Sequence, residues 1–599
     1  MTPEARTEAW TRFRRDPVLL AGMLLVAGQT VVRALIVVRS YYWQDDFVHL
    51  DLARRLGLSR EFLIRDHNGH LEIGANVVYW LIGRNAGLSF LPAALWLLGL
   101  QVVASCLLLA VLRELFGRSP WILLPLAGYL FTPLGLAVAT WTASGLEALP
   151  VQIGMLLALL GLVRAIRRHS WRWAAISVGG HALGLLFYEK ALLILPVLLG
   201  VLLLVEGAGH PLGRRLRSLA RSRRYLLGHG LLVLAYLPLY VVVVDSTASL
   251  DLDAGAALSW TGETVAGMVL PGVFGGPWTA AGAEETRLPG VGAATGVVVA
   301  LLALGVVAGS LWLRGRRALN GWALVAGYLA ADVALVLIGR GQLLDLVTRD
   351  PRYISDALPV IAIGCCAAFT GPLVERATTA RRLPYGGGSL RPALAASGLL
   401  AASGLVTTTL VAGELQHRGS RDYVHGVLAA MDADPGVPVV SSQPPWNVNI
   451  FGRPRLDGML RTLGQERSFD RPGTELFMFD GSAELRPVTV LAPRLQRAGP
   501  APGCGWSVGA AGRSLGELSG PAEAPEVVRL GYLAGSPVTL VLSVGGDERE
   551  LALPPGAGQA FFVVTGQEGE VEVRTAGPAS SRLCVLDVVV GTPWPQDGP

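Results

Sequence analysis

The residues best suited to chemistry follow the first apolar stretch: Tyr41, Tyr42, Trp43, Gln44, Asp45, Asp46 and Phe47, then Asp66, His67, Asn68, Gly69, His70 and Glu72. Two adjacent carboxylates raise each other's proton affinity unless a cation, a hydrogen-bond donor or a substrate hydroxyl offsets them. Such a pair suits a general base or a metal ligand. It equally suits the start of a helix near Phe47, because Asp favours N-caps. A second set lies within 340–353 and contains Arg340, Asp345, Arg349, Asp350, Arg352 and Tyr353. The planar fork of arginine grips phosphate through paired hydrogen bonds. Arg352 is the first choice for that role, with Arg349 and Tyr353 beside it; the alternative is a set of arginines at a helix end reaching for water.

Other polar residues are less specific. His67 and His70 have the spacing of one helical face, for a metal with Asp66 or for sugar contact, but Gly69 between them favours a turn and a hydrogen-bonding use. Glu147 adds a carboxylate to a cavity or favours a helix N-terminus. Lys190, beside Glu189, is placed to meet a phosphate or Asp46. Arg33, His181 and Asp332 lie inside apolar runs, where ionisable groups are costly and face a cavity or a partner. The loop 246–291, with Trp260 and the run from Pro271 to Trp278, is read as a lid or re-entrant turn. Its aromatic rings suit sugar faces and the membrane interface alike. No Walker A, dinucleotide fingerprint, HExxH or CxxC pattern is present.

The elements that must hold these residues are helices in lipid. The chain has 599 residues, 52% of them hydrophobic and 16% charged, and a mean hydropathy of +0.47. Soluble domains carry about 25% charged residues, so a water-soluble enzyme is excluded. Runs of about 20 apolar residues are long enough to cross a bilayer as helices. Eleven are expected, near 17–38, 90–112, 120–141, 147–163, 173–188, 190–206, 225–245, 292–313, 319–339, 354–374 and 392–413. Arginines alternate between the connecting loops. One side holds Arg6, Arg12, Arg14 and Arg15, then Arg113 and Arg118, Arg164 to Arg172, Arg214 to Arg224, Arg314 to Arg317, and Arg376, Arg381, Arg382 and Arg391. Retention of positive charge makes that side cytoplasmic. The loops 40–89, 246–291 and 340–353, and everything after 413, are then exported, and the first helix is an uncleaved signal anchor.

Charge divides the same way. Residues 414–599 hold 21 acidic and 15 basic residues, a net of −6, which leaves +11 on residues 1–413 out of a total of +5. The basic residues form no single patch, so nucleic acid is not a partner. Residues 1–413 are expected to be the membrane domain and 414–599 an exported soluble domain. Short valine- and leucine-rich runs at 537–543, 550–553, 560–565, 570–574 and 583–590 predict a β-sandwich or jelly roll there, after a mixed segment to about 500. Cys504 and Cys584 are the two cysteines outside the apolar helices and are expected to form a disulfide.

A long first exported loop with an acidic pair directly after helix one, about eleven spans and an exported C-terminal domain together resemble the GT-C class of polytopic membrane glycosyltransferases, in particular actinobacterial members. The resemblance implies that Asp46 or Asp45 is the catalytic base on the acceptor, or helps hold a divalent metal, Mg2+ or Mn2+. It also places the arginine and tyrosine of 340–353 near a lipid phosphate. An exported site has no pool of nucleotide sugars, so the implied donor is a polyprenyl-phosphate sugar. The implied acceptor is an envelope glycan or lipid, and transfer inverts the anomeric centre. The C-terminal domain is then a candidate for carbohydrate binding, although a sandwich does not dictate function. The alternative is a non-enzymatic translocator or scaffold for envelope lipids, with Arg33 and Asp332 lining a path.

Overall fold

The computed structural model describes residues 16–84, 87–245, 253–373, 389–520, 522, 524–576 and 583–596. Arg6, Arg12, Arg14, Arg15, Arg376, Arg381 and Arg382 lie outside the described residues, as does the 246–252 part of the expected lid. The chain forms two compact units, one from Met1–Tyr42 with Leu52–Arg418 and the other from Trp43–Asp51 with Gly419–Pro599.

The first unit is helical. Among the described residues six helical stretches are long and apolar enough to cross a membrane: Pro17–Val37, Leu91–Phe116, Thr142–Arg168, Leu212–Val243, Ala293–Val347 and Leu390–Val411. A pair bent by 49°, Pro120–Phe131 with Pro133–Thr140, makes either a seventh, broken span or a re-entrant loop. Ala293–Val347 carries two of the expected spans, as helices Ala293–Arg314 and Leu319–Arg340 around a 3-10 turn. Three further expected spans fall on shorter helices: Trp171–Phe187, Ile194–Gly200 continuing as a π-helical turn, and Leu358–Phe369. Helix length alone therefore accounts for fewer than eleven spans. The expected break near residue 189 is real, because Tyr188 is extended and the chain turns through a 3-10 helix at Glu189–Leu193.

Helix starts follow their local chemistry. The Asp16 carboxylate accepts from Leu19 N–H and caps Pro17–Val37, with proline in its first turn. Arg113 and Arg118 stand 2.7 and 3.1 Å from the other Asp16 oxygen. Some of the helical glycines sit where helices touch backbone to backbone. A Cβ on Gly154 would lie 2.5 Å from Gly180 O, and one on Gly161 would lie 2.7 Å from Ser177 N, so Thr142–Arg168 and Trp171–Phe187 approach closely. Gly321 against Gly364 does the same for Leu319–Arg340 and Leu358–Phe369. In lipid, such packing replaces the hydrophobic driving force between helices. Val242, Leu301 and Trp312 stay exposed on their helices, as lipid-facing residues would.

The second unit begins with the amphipathic helix Arg418–Ala433 and a parallel bridge from Val439 to Phe477, then the short helix Leu456–Thr462. Two antiparallel sheets follow. One runs in the order Gly556–Thr565, Pro525–Ala534, Leu583–Pro595, Leu485–Ala498, Phe477–Phe479, with Trp506–Val508 paired to Leu583–Pro595. The other runs Arg513–Leu518, Gly569–Ala576, Val538–Val544, Asp547–Leu553. Val528, Leu530, Phe562 and Val588 of the first sheet share one buried core with Leu515, Leu540, Leu542 and Val573 of the second. That shared core makes the pair a sandwich. Cys504 and Cys584 are bonded in it, while Cys106, Cys365 and Cys366 lie in helices outside any disulfide.

Candidate functional site

Within the helical unit, polar side chains from distant segments meet around Tyr353. Residues Pro351–Tyr353 form a 3-10 turn capped by Asp350, whose Oδ1 accepts from Arg352 N–H at 3.1 Å. Asp350 Oδ2 stands 2.8 Å from Arg352 Nε and accepts from Thr286 Oγ1 at 2.8 Å. Burial raises the Asp350 carboxyl above the usual carboxylate range, and Arg352 and Thr286 only partly oppose that. The Arg352 guanidinium lies 4.6 Å from the Trp141 ring centroid and 4.7 Å from that of Tyr353, and its Nη2 donates to Tyr353 Oη at 2.9 Å. Two ring faces and a carboxylate thus fix the plane of one cation. Burial raises the Tyr353 phenol, against the pull of Arg352, so it keeps its proton.

His70 sits in the same unit on a two-residue hairpin, Asp66–His67 paired with His70–Leu71, turned through Asn68 and Gly69 at positive φ. Its Nδ1 is 2.7 Å from Glu189 Oε1 and its Nε2 is 2.6 Å from Arg340 Nη2. Arginine can only donate, so this contact assigns the lone pair to Nε2 and the proton to Nδ1. Burial disfavours the imidazolium, but Glu189 and then Glu147 outweigh burial and the opposing Arg340, and the His70 pKa is raised. Glu147 also acts electrostatically on Tyr353, so the His70 and Arg352 groups share one field. His67 stays with its neighbours, 3.4 Å from Arg65 and Asn68 nitrogens. The hairpin, not a helical turn, relates it to His70, its cross-strand partner.

Lys190 supports this cluster from below. Its Nζ donates to Asp332 Oδ1 at 2.5 Å, to the Tyr353 carbonyl at 2.5 Å and to Asp356 Oδ1 at 3.4 Å. Tyr328 Oη donates to the other Asp356 oxygen at 2.6 Å. With three protons on three protein acceptors, Lys190 is held inside the unit, unlike the expected contact with a phosphate or with Asp46. Asp332 likewise faces Lys190, and Arg33 donates to the Thr132 carbonyl. Both residues are buried.

Arg349 adopts positive φ, with Nε 3.8 Å from Glu263 Oε2. Trp278 is pinned to helix Leu390–Val411: its backbone N–H donates to Thr407 Oγ1 at 3.0 Å and its indole N–H to Ser403 Oγ at 2.8 Å. Thr407 and Ser403 in turn donate to the carbonyls of Gly275 and Phe274. The described part of the expected lid is thus helical from Ala254–Gly262 through Glu263–Val269 to Leu270–Val273, and the turn that follows it is anchored.

The acidic pair belongs to the second unit. Asp45 and Asp46 open the helix Asp45–Leu56, and Asp46 Oδ2 accepts from Trp43 N–H at 3.1 Å, across the turn that leads into the helix. Asp46 is fully buried and Asp45 half-buried. The segment ahead of them is stapled to residues 446–450. Trp43 Nε1 donates to Asn447 O at 2.7 Å, Gln44 N to Val448 O at 3.0 Å, and Gln44 Nε2 to Trp446 O at 2.9 Å, while Gln44 Oε1 accepts from Ile450 N at 2.6 Å. Among the described residues no three His, Cys, Asp or Glu side chains converge as a metal site requires. The Asp45–Asp46 pair by itself does not make a site for Mg2+ or Mn2+.

Sequence reasoning passed over Trp141, Tyr188, Tyr328 and Asp356. Nothing in the sequence pairs Trp141 with Arg352, and Tyr188, edge-on to His70 at 5.1 Å, carries no signal beyond its neighbour Glu189.

No protein-family model and no curated protein matches the chain. Among solved structures, ArnT from Cupriavidus metallidurans in the apo state is similar at 15% identity and a TM-score of 0.44, over 75% of this chain and 85% of that one. The arabinosyltransferase EmbB from Mycobacterium smegmatis is similar at 14% identity and a TM-score of 0.24, over 96% of this chain and 64% of that one. Both likenesses are distant, and the account of the site rests on its side chains.

Proposed function

We propose that the chain is a GT-C-type membrane glycosyltransferase that moves a sugar from a polyprenyl-phosphate donor to an envelope glycan or lipid on the exported face. The observation that carries this reading is the Arg352 guanidinium, held between Trp141 and Tyr353 and braced by Asp350 within an apolar helical unit. A fixed cation beside a protonated phenol suits a lipid phosphate, whose charge grows as it departs. Arg349 and Arg340 are the further cations of the same loop region.

In the proposed step an acceptor hydroxyl attacks the anomeric carbon as the bond from that carbon to the phosphate oxygen breaks. The electron pair leaves with polyprenyl phosphate, the hydroxyl proton passes to a carboxylate of the Asp45–Asp46 pair, and the configuration inverts. Asp45, half-buried, is the more reachable base. Asp46, fully buried and bonded to Trp43 N–H, is the positioning residue. His70 and Glu147 are assigned to sugar contact. Positive charge on the loops between helices supports an N-terminus in the cytoplasm and an exported C-terminal domain.

The test is binding of polyprenyl phosphate to the full chain in lipid nanodiscs, read by native mass spectrometry. The expected result is retention of polyprenyl phosphate over neutral polyprenol, lost in Arg352→Ala. Equal retention of the two lipids, or unchanged retention in Arg352→Ala, would overturn the assignment of Arg352.

A further inference from the structure

The second unit carries a cleft of about 560 Å3, lined by Gln443, Phe451, Gly452, Arg453, Arg455 and the start of the strand Pro525–Ala534. Its charge is one-sided. Among the described residues neither Arg453 nor Arg455 has an ion-pair partner, whereas Arg461, Arg467, Arg486 and Arg494 of the same unit each face a carboxylate. Asp470 lies in the field of Arg455 but accepts the Ser441 N–H at 2.8 Å.

The cleft is also built. Gly452 has φ of 63°, and a Cβ there would meet the Gln443 side chain at 2.8 Å, so glycine lets that amide lie against the chain. Asn449 Nδ2 donates to Arg453 O at 3.0 Å and holds the turn. Phe451 in the cleft wall is 40% exposed and Trp446, on the same segment, is 69% exposed. Partly exposed aromatic rings on the segment that carries two cations suit a sugar that bears an anion.

We infer that this cleft binds an anionic saccharide, its carboxylate or phosphate on Arg453 and Arg455, a ring on Phe451 and a hydroxyl on Gln443. A neutral glycan would leave both guanidinium groups unused. The carbonyls of Trp446, Asn447 and Val448, on the segment that forms the cleft, hold Trp43 and Gln44 just ahead of Asp45 and Asp46. If the transferase reading holds, the bound saccharide is the acceptor, presented beside its base.

The experiment is calorimetric titration of the full chain in zwitterionic nanodiscs with trigalacturonate, with maltotriose monophosphate and with neutral maltotriose. At least one anion is expected to bind about tenfold tighter than maltotriose, and Arg453→Ala/Arg455→Ala is expected to erase that difference without lowering the unfolding temperature. The tighter anion names the group recognised. Equal binding of all three saccharides, or a preference that survives the double substitution, would overturn the inference. Transfer activity is not needed for the readout. Loss of the transferase reading would therefore leave the binding intact, and loss of the binding alone would remove only this inference.

Discussion

Replacing Lys190 with methionine keeps the length of the side chain and removes its charge, which exposes what the ammonium does. Its Nζ lies 2.5 Å from Asp332 Oδ1 and 3.4 Å from Asp356 Oδ1, and all three side chains are buried. Removing one partner of a buried ion pair costs about 3–5 kcal/mol, because the surviving charge stays out of water. Uptake of a proton by one carboxyl would hold the loss toward the lower end of that range. Since Lys190 also holds the Tyr353 carbonyl, the loss falls on the turn that carries Arg352. Local opening of 350–357 should become roughly 150- to 5,000-fold more frequent. Hydrogen exchange of the full chain in nanodiscs measures this on peptides covering 189–193 and 350–357, with 297–305 as control. A Lys190→Met/Asp332→Asn/Asp356→Asn variant, neutral throughout, should recover most of the protection. Exchange at 350–357 within about threefold of wild type in Lys190→Met, or a triple variant no better than the single one, would refute the reasoning.

Three further outcomes follow from named contacts. The His70 pKa is raised in the folded protein. The His70–Glu189 contribution is therefore fully present below the ordinary value of about 6.5 and lost as pH rises through the folded value. Glu189→Gln should pull the His70 pKa down, read by carbon-13 NMR of labelled histidine; an unchanged titration would contradict the pairing. Ser403→Ala removes the acceptor of the Trp278 indole and the donor to Phe274 O, at a cost of about 1–3 kcal/mol, so protease cleavage within 271–278 should accelerate. Gly404→Val would put a side chain 2.1 Å from Phe131 O, so a clear fall in unfolding temperature is expected, while Gly398→Ala, with open space around it, should be neutral.

How far the fold is legible depends on what holds each element. Asp547–Leu553 and Gly569–Ala576 are readable because apolar residues alternate with charged ones, and Val538–Val544 because a valine- and leucine-rich run ends at a glycine turn. Leu485–Ala498 escapes that pattern: it is mostly exposed, carries Pro487 and Pro493, and buries only Val488 and Leu495. The turn at Gly69 and the break after Tyr188 announce themselves through residue type. The grouping of Trp43–Asp51 with Gly419–Pro599 does not, because backbone carbonyls some 400 residues away make the contacts. The same holds for the site. Lys190 and Asp332 are each conspicuous in an apolar run, yet their pairing is a property of helix packing. Arg352 is suggested by three arginines in a loop where positive charge is scarce, and its partner Trp141 is found only in space.

The central claim is tested most directly by transfer itself. The full chain in nanodiscs would be given a polyprenyl-phosphate sugar labelled in the sugar and an envelope glycan extract, with released polyprenyl phosphate and labelled glycan both counted. The account predicts that the two products appear in equal amounts, that Asp45→Asn abolishes both, and that Arg352→Lys, which keeps the charge but loses the stacked plane, lowers both by about tenfold or more. Full turnover in Asp45→Asn and Asp46→Asn, each made at normal levels, or no transfer from any lipid-linked sugar by the wild-type chain, would contradict it.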